Sequence, residues 1–188
     1  MKIVILFSGE GTNLLNLIEK MEGYVEIAAA VTNRPDAGGI EKAKRNGIHV
    51  DIIDHTGYDS REQFDEMLVK TINLYQPDLV VMAGFMRILT PVFTNNIRAI
   101  NLHPSLLPKF KGARAIERSF ESDEKEGGVS VHWVSGELDG GSVISQRRFE
   151  KAQNETLESF TEKIKMIEYA LLPEIIIELL KGHAKNDE

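Results

Sequence analysis

The sequence contains no cysteine. Disulfides, thiolate nucleophiles and cysteine-ligated metals are therefore excluded together. It also lacks any excess of positive charge: 22 Lys and Arg stand against 29 Asp and Glu, a formal net charge of −7. A surface that binds a phosphate backbone is basic, so this balance argues against a nucleic-acid partner. No stretch reaches the ~20 apolar residues needed to span a bilayer. The opening MKIVILFSG is too short for a secretory apolar region and has no small-residue cleavage site. We therefore expect a cytoplasmic protein without a membrane partner. Three motifs are also missing. No Gly-Lys-Ser/Thr follows the first glycine loop, and neither a Gly-x-Ser-x-Gly elbow nor a His-Glu-x-x-His pair occurs. P-loop, serine-nucleophile and zinc mechanisms thus lack their parts, and no metal is expected.

What is present is a soluble, globular balance: 188 residues, 42% hydrophobic and 27% charged, the size of one ordinary domain. The apolar runs Lys2–Phe7, Val25–Asn33, His49–Asp54, Pro77–Gly84 and Arg98–His103 read as buried strands. Between them lie helical patterns at Leu14–Met21, in a short segment closed by Gly47, and at Asp59–Gln76. The last opens with an Asp-Ser cap signal and carries Phe64, Leu68, Ile72 and Tyr75 on one face. Alternating strand and helix implies a parallel sheet with helices on both faces.

The pattern changes after residue 125. GGVSVHWVS and SVISQRRFE flank GELDGG, which predicts an antiparallel hairpin with an Asp-Gly turn. A last helix is expected from Glu155 to Lys181, capped near Thr156 and kinked by Pro173, with HAKNDE fraying beyond it. The fold class is α/β: one three-layer domain over 1–188, mostly parallel, with the hairpin in its C-terminal half.

Two loops carry chemistry. SGEGTN (Ser8–Asn13) joins the first strand to the first helix. It can be a tight turn, or its exposed N–H groups can hold an anion at the helix start. It is a poor dinucleotide site, because Leu14 occupies the third glycine position and the second strand ends in Asn33 rather than an acid. One monophosphate suits it better. The second loop is NLHPSLLP (Asn101–Pro108). Asn101 and His103 project to the same side of a strand, where an amide and an imidazole can hold an oxygen that becomes negative. The plainer alternative is a histidine satisfied by a backbone carbonyl, with Asn101 capping a turn. Asp139 likewise is either the first residue of a hairpin turn or a carboxylate beside His103, where it would raise the histidine's pKa and relay a proton through water.

In order and spacing, SGEGTN, AGFMRILTPVF (Ala83–Phe93), NLHPSLLPKFKG (Asn101–Gly112) and ELDGGSVI (Glu137–Ile144) closely resemble the glycinamide ribonucleotide formyltransferase family that uses 10-formyltetrahydrofolate. The resemblance covers nearly the whole chain. It implies formyl transfer from the folate, a co-substrate, to the primary amine of glycinamide ribonucleotide in purine biosynthesis, by a monomer or homodimer. It implies a catalytic trio of Asn101, His103 and Asp139, and a ribonucleotide site of Gly11, Thr12, Asn13 and Glu168. It implies folate binding by Arg61, Met86, Arg87, Ile88, Leu89 and Asn101. Residues 1–100 would then form the nucleotide-binding half and 101–188 the catalytic and folate-binding half.

There are departures. Thr12 stands where the family often has Ser, and Lys165 where it often has Gln. Arg114 lies in ARAIERS, where many relatives carry a histidine and where we expect a loop. Two related activities share parts of this pattern. A 10-formyltetrahydrofolate deformylase usually adds an N-terminal regulatory domain and tends to have a second histidine at the position of Pro104. A methionyl-tRNA formyltransferase needs a C-terminal RNA-binding domain. Neither extension is expected here, and the intact trio also speaks against a non-catalytic binding module.

Overall fold

A computed structural model describes residues 1–184. The elements run β1 (Lys2–Phe7), α1 (Thr12–Met21), β2 (Glu26–Thr32), α2 (Gly39–Arg45), β3 (Val50–Ile52), α3 (Arg61–Asn73), β4 (Leu79–Met82), α4 (Pro91–Thr94), β5 (Ala99–His103), α5 (Ala115–Glu121), β6 (Glu126–Trp133), β7 (Val143–Glu150) and α6 (Leu157–Ala184). One seven-stranded sheet has the order β3-β2-β1-β4-β5-β6-β7. The first five strands are parallel, and β6 and β7 are antiparallel. The sheet crosses residue 100 without a break. Chain order reverses between β1 and β4, so a crevice opens beyond their carboxyl ends, where ligands of open α/β sheets bind.

Strand alternation divides the core. Ile3, Ile5 and Phe7 of β1 pack with α1, α2 and α6 on one face. Val4 and Leu6 pack with α3 and α4 on the other. Phe93 and Phe160, both fully buried, lie in opposite layers. Truncating either to alanine costs about 3–5 kcal/mol.

The helix signals mostly hold. Ser60 caps α3 by accepting from Gln63 N at 3.2 Å, and Thr156 accepts from Ser159 N at 3.1 Å before α6. Phe64, Leu68 and Ile72 are buried, whereas Tyr75 lies past the end of α3 and donates to Asp51 at 2.6 Å.

Three expectations need correction. The segment around 113–119 is not all loop, because α5 begins at Ala115. The hairpin does not turn at Asp-Gly alone, since a longer connection from Val134 to Ser142 separates β6 from β7. The last helix does not end at Lys181; α6 continues to Ala184, and the rest of the tail expected to fray lies outside the described residues. This helix runs on through Pro173. Proline has no N–H for the carbonyl four residues back, here that of Tyr169, and Asn16 of α1 donates to that carbonyl at 3.0 Å instead.

Candidate active site

A cavity of about 510 Å³ lies beyond β1, β4 and β5. Its lining includes Asn13, Met86, Arg87, Ile88, Leu89, Asn101, His103, Asp139 and Glu168. Gly11 and Thr12 stand beside it at the start of α1, outside the lining. Arg61 is exposed at the start of α3 and is not brought to the lining.

Gly11 has φ 68, and a Cβ there would stand 2.6 Å from the Cα of Gly39. Both the turn and the close approach of α2 therefore require glycine. No side chain caps α1, and its first turn holds no acid. Its leading N–H groups are left for an anion. Asn13 Nδ2 donates to Glu168 Oε2 at 3.1 Å, while buried Asn13 Oδ1 has no partner among the described residues. Burial raises the Glu168 pKa, against the Asn13 hydrogen bond and the charge of Lys165.

Met86–Leu89 forms one wall. It has no regular structure, and its two ends are fastened. Met86 N donates to the hydroxyl of buried Ser8 at 2.7 Å. Thr90 donates to Asp65 Oδ2 through its N–H at 2.6 Å and its hydroxyl at 2.7 Å. Asp65 is 1% exposed, and burial raises its pKa despite those bonds. Met86 and Ile88 are exposed, which leaves apolar surface for a flat ring.

The opposite side is more polar. Asn101 and His103 leave β5 into the cavity, and β6 places His132 directly across from Asn101. The loop after His103 is pinned to β6 and β7. Ser130 Oγ donates to Ser105 O at 2.6 Å, Leu107 N donates to Ser130 Oγ at 3.0 Å, and Gln146 Nε2 donates to Leu107 O at 2.8 Å. Asp139 has φ 48, a left-handed conformation that Asp tolerates better than most residues. Beside it, a Cβ on Gly141 would meet the Trp133 carbonyl at 1.8 Å, so only glycine lets the turn close.

His103 Nδ1 lies 3.4 Å from Asp139 Oδ2, and both side chains are 7% exposed. His103 Nε2 faces the Phe110 carbonyl at 3.0 Å. The ring is thus satisfied by a backbone carbonyl, as on the plainer alternative, and also lies beside Asp139. Asn101, which that alternative has capping a turn, instead sits within β5 and donates to His132 and Asp139. Asp139 does pull the His103 pKa upward as expected, but on balance that pKa is shifted downward. Burial is the largest effect and lowers it, ahead of the opposing pull of the Phe110 carbonyl and Asp139. Burial also works against the charge on Asp139. The His132 imidazole, the Gly112 N–H at 2.8 Å and the His103 ring outweigh it and hold that carboxyl at about 2.

His132, which sequence reasoning did not assign to the site, belongs to this cluster. Its Nδ1 donates to the Trp133 carbonyl at 2.8 Å, so Nε2 accepts from Asn101 Nδ2 at 3.2 Å. Protonated, that Nε2 would face Asp139 Oδ1 at 3.5 Å as an ion-pair partner. The other Nδ2 hydrogen of Asn101 points to Asp139 Oδ1 at 3.3 Å. The sequence offered only a histidine within a strand that also carries the polar Glu126 and Ser130. Among the described residues no group of three or more His, Cys, Asp or Glu is placed to hold a metal, and no helix is long and apolar enough to cross a membrane. The arrangement can bind an anion, seat a flat ring against an apolar wall, and hold an oxygen between an amide and an imidazole backed by an ionised carboxylate.

Known proteins share this framework. A phosphoribosylglycinamide formyltransferase of Escherichia coli is 39% identical over 195 residues, covering 100% of this chain and 91% of that protein. The crystal structure of phosphoribosylglycinamide formyltransferase from Campylobacter jejuni superposes with a TM-score of 0.93 at 53% identity, covering 96% of this chain and 97% of that one. The corresponding structure from Bacillus halodurans gives 0.91 at 34% identity, covering 96% and 95%. The family model described as formyl transferase matches residues 1–176, and with these relatives it places the chain in the formyl transferase family.

Proposed function

We propose that the protein transfers the formyl group of 10-formyltetrahydrofolate to the primary amine of glycinamide ribonucleotide, in purine biosynthesis. One observation carries this reading. Asn101, His103 and Asp139 converge in a single cavity flanked by an uncapped helix N-terminus and an apolar wall. The uncapped start of α1, at Gly11, Thr12 and Asn13, takes the phosphate. Asn13 Oδ1 and Glu168 accept donors from the rest of the ribonucleotide. Met86–Leu89 seats the pterin, and Arg61 is offered to the carboxylates of the folate tail.

As the amine nitrogen bonds to the formyl carbon, the carbonyl electrons move to oxygen. Asn101 Nδ2 holds that oxygen with the hydrogen it otherwise gives to His132, and the His103 ring holds it with the Nε2–H that otherwise meets the Phe110 carbonyl. The negative charge growing there favours the imidazolium, against the burial that disfavours it in the free protein. Asp139, ionised in the free protein, supports that cation, and through water it takes up the proton shed by the amine. The oxygen's electrons then re-form the carbonyl as the carbon–nitrogen bond to the folate breaks, and the leaving nitrogen takes up the proton that the amine gave to Asp139 through water. The whole site comes from one chain, which suits a monomer or a homodimer, and the cytoplasm is the proposed location.

The test follows a ¹³C-formyl label on the folate by NMR. Label recovered on the ribonucleotide amine is the expected result. Label recovered as formate, at a rate independent of the ribonucleotide, would instead make the protein a hydrolase.

A further inference from the structure

We propose that Arg118, exposed on α5 and outside the cavity lining, is a positioning residue that sets the His103–Asp139 pair by gripping the loop on which both rest. Its guanidinium donates to the Phe110 carbonyl at 3.0 Å, to the Ala113 carbonyl at 3.1 Å and to the Lys111 carbonyl. Glu117 and Glu121 lie on the same helix, yet among the described residues Arg118 pairs with no carboxylate. All its bonds go to this loop.

The loop needs holding. Phe110, Gly112 and Arg114 have φ of 57, 79 and 56. Left-handed conformations at non-glycine residues cost on the order of 1 kcal/mol or more each and persist only where the surroundings enforce them. The same short segment touches both catalytic groups. The Phe110 carbonyl faces His103 Nε2 at 3.0 Å, and the Gly112 N–H donates to Asp139 Oδ2 at 2.8 Å. A planar fork with five N–H groups can reach three neighbouring carbonyls at once, and a lysine ammonium cannot match that geometry.

The charge acts as well as the grip. Of the groups facing His103, Asp139 favours its cation, while His132 of β6 and Arg118 of α5 oppose it. Arg118 also shares the Phe110 carbonyl with His103, which weakens that carbonyl as an acceptor for the ring. A clamp with a purely structural role would leave the titration of His103 where it is.

This inference rests on the proposed transfer reaction, so the experiment has one readout that needs no turnover. The His103 ring is titrated by ¹⁵N NMR in the ligand-free wild type, Arg118→Lys and Arg118→Ala. Steady-state kcat and KM are measured on the same samples. In Arg118→Ala the His103 midpoint should move to higher pH, and kcat should fall about 10- to 100-fold with smaller changes in KM, the range expected when a reacting group is misplaced. Arg118→Lys should keep the midpoint and still lose kcat. An unmoved midpoint with kcat within about twofold of wild type in Arg118→Ala would overturn the proposal. If Arg118→Ala fails to fold by circular dichroism, Arg118→Lys decides, and unchanged kcat overturns it. Absence of ribonucleotide-dependent turnover in the wild type would refute the transfer reading, while the titration would still decide the role of Arg118.

Discussion

Two irregular segments face each other across the cavity, and each is fastened by a buried aspartate. Asp65 fastens the apolar wall through Thr90, has no hydrogen-bonded cation among the described residues, and burial raises its pKa. Asp139 fastens the catalytic loop through Gly112, sits between two imidazoles, and is held at about 2. The same side chain is thus used in two ways. On the wall it is an acceptor that orders backbone for binding. On the loop it is kept ionised for proton transfer. Local potential, rather than burial alone, separates a structural carboxylate from a reactive one.

That contrast can be broken from either side. The largest effect should come from His103→Ala, with kcat lower by about 10²–10³, the usual cost of an oxyanion donor. Asp139→Asn should lower kcat by about 10²-fold or more, as for a lost proton acceptor, with little change in either KM. Near-wild-type turnover in steady-state assays of either variant would place the chemistry elsewhere. Asp65→Asn keeps an acceptor for Thr90 and should leave kcat within a few-fold, raising mainly the KM for the folate. A kcat loss matching that of Asp139→Asn would erase the distinction between the two aspartates.

Smaller effects test the supports. Asn16→Leu leaves the Tyr169 carbonyl unmatched and should cost about 0.5–1.5 kcal/mol in urea unfolding. In a Pro173→Ala background the helix can supply that bond itself, so the cost should shrink; equal costs in both backgrounds would refute the compensation. pH dependence sharpens the comparison last. The folded pKa of Asp139 is depressed, so its contribution is full above the ordinary Asp range and is lost as pH falls toward about 2. Asp65 has a raised folded pKa, so its contribution is present in acid and is lost as pH rises through that value. Relative to wild type, Asp139→Asn should therefore lose less stability in acid. Asp65→Asn should lose less as pH rises through the carboxylate range.

Much of this was legible in the chain. Continuous apolar runs gave β1 its full extent and placed the other parallel strands, because buried strands leave little room for polar residues. Ser60 and Thr156 marked helix starts because their hydroxyls accept from the N–H groups three residues on. The start of α5 was not legible. Its first cap position, Arg114, is left-handed without being glycine and offers no side-chain cap, so no local signal announces the helix. His132 was hidden by register: only the pairing of β5 with β6 sets it opposite Asn101. The lowered His103 pKa was equally out of reach, since a neighbouring carboxylate can be inferred from sequence but the depth of burial cannot. Arg61 shows the converse, a position read from a motif that the fold leaves outside the cavity lining.

The central claim is that this cavity acts on an oxygen that becomes negative, beyond simply gripping two substrates. Asn101→Ala tests it most directly, by measuring kcat and both KM values in the steady state. The account predicts a kcat lower by about 10²–10³ with both KM values within a few-fold of wild type. An unchanged kcat, or a loss confined to KM, would contradict it.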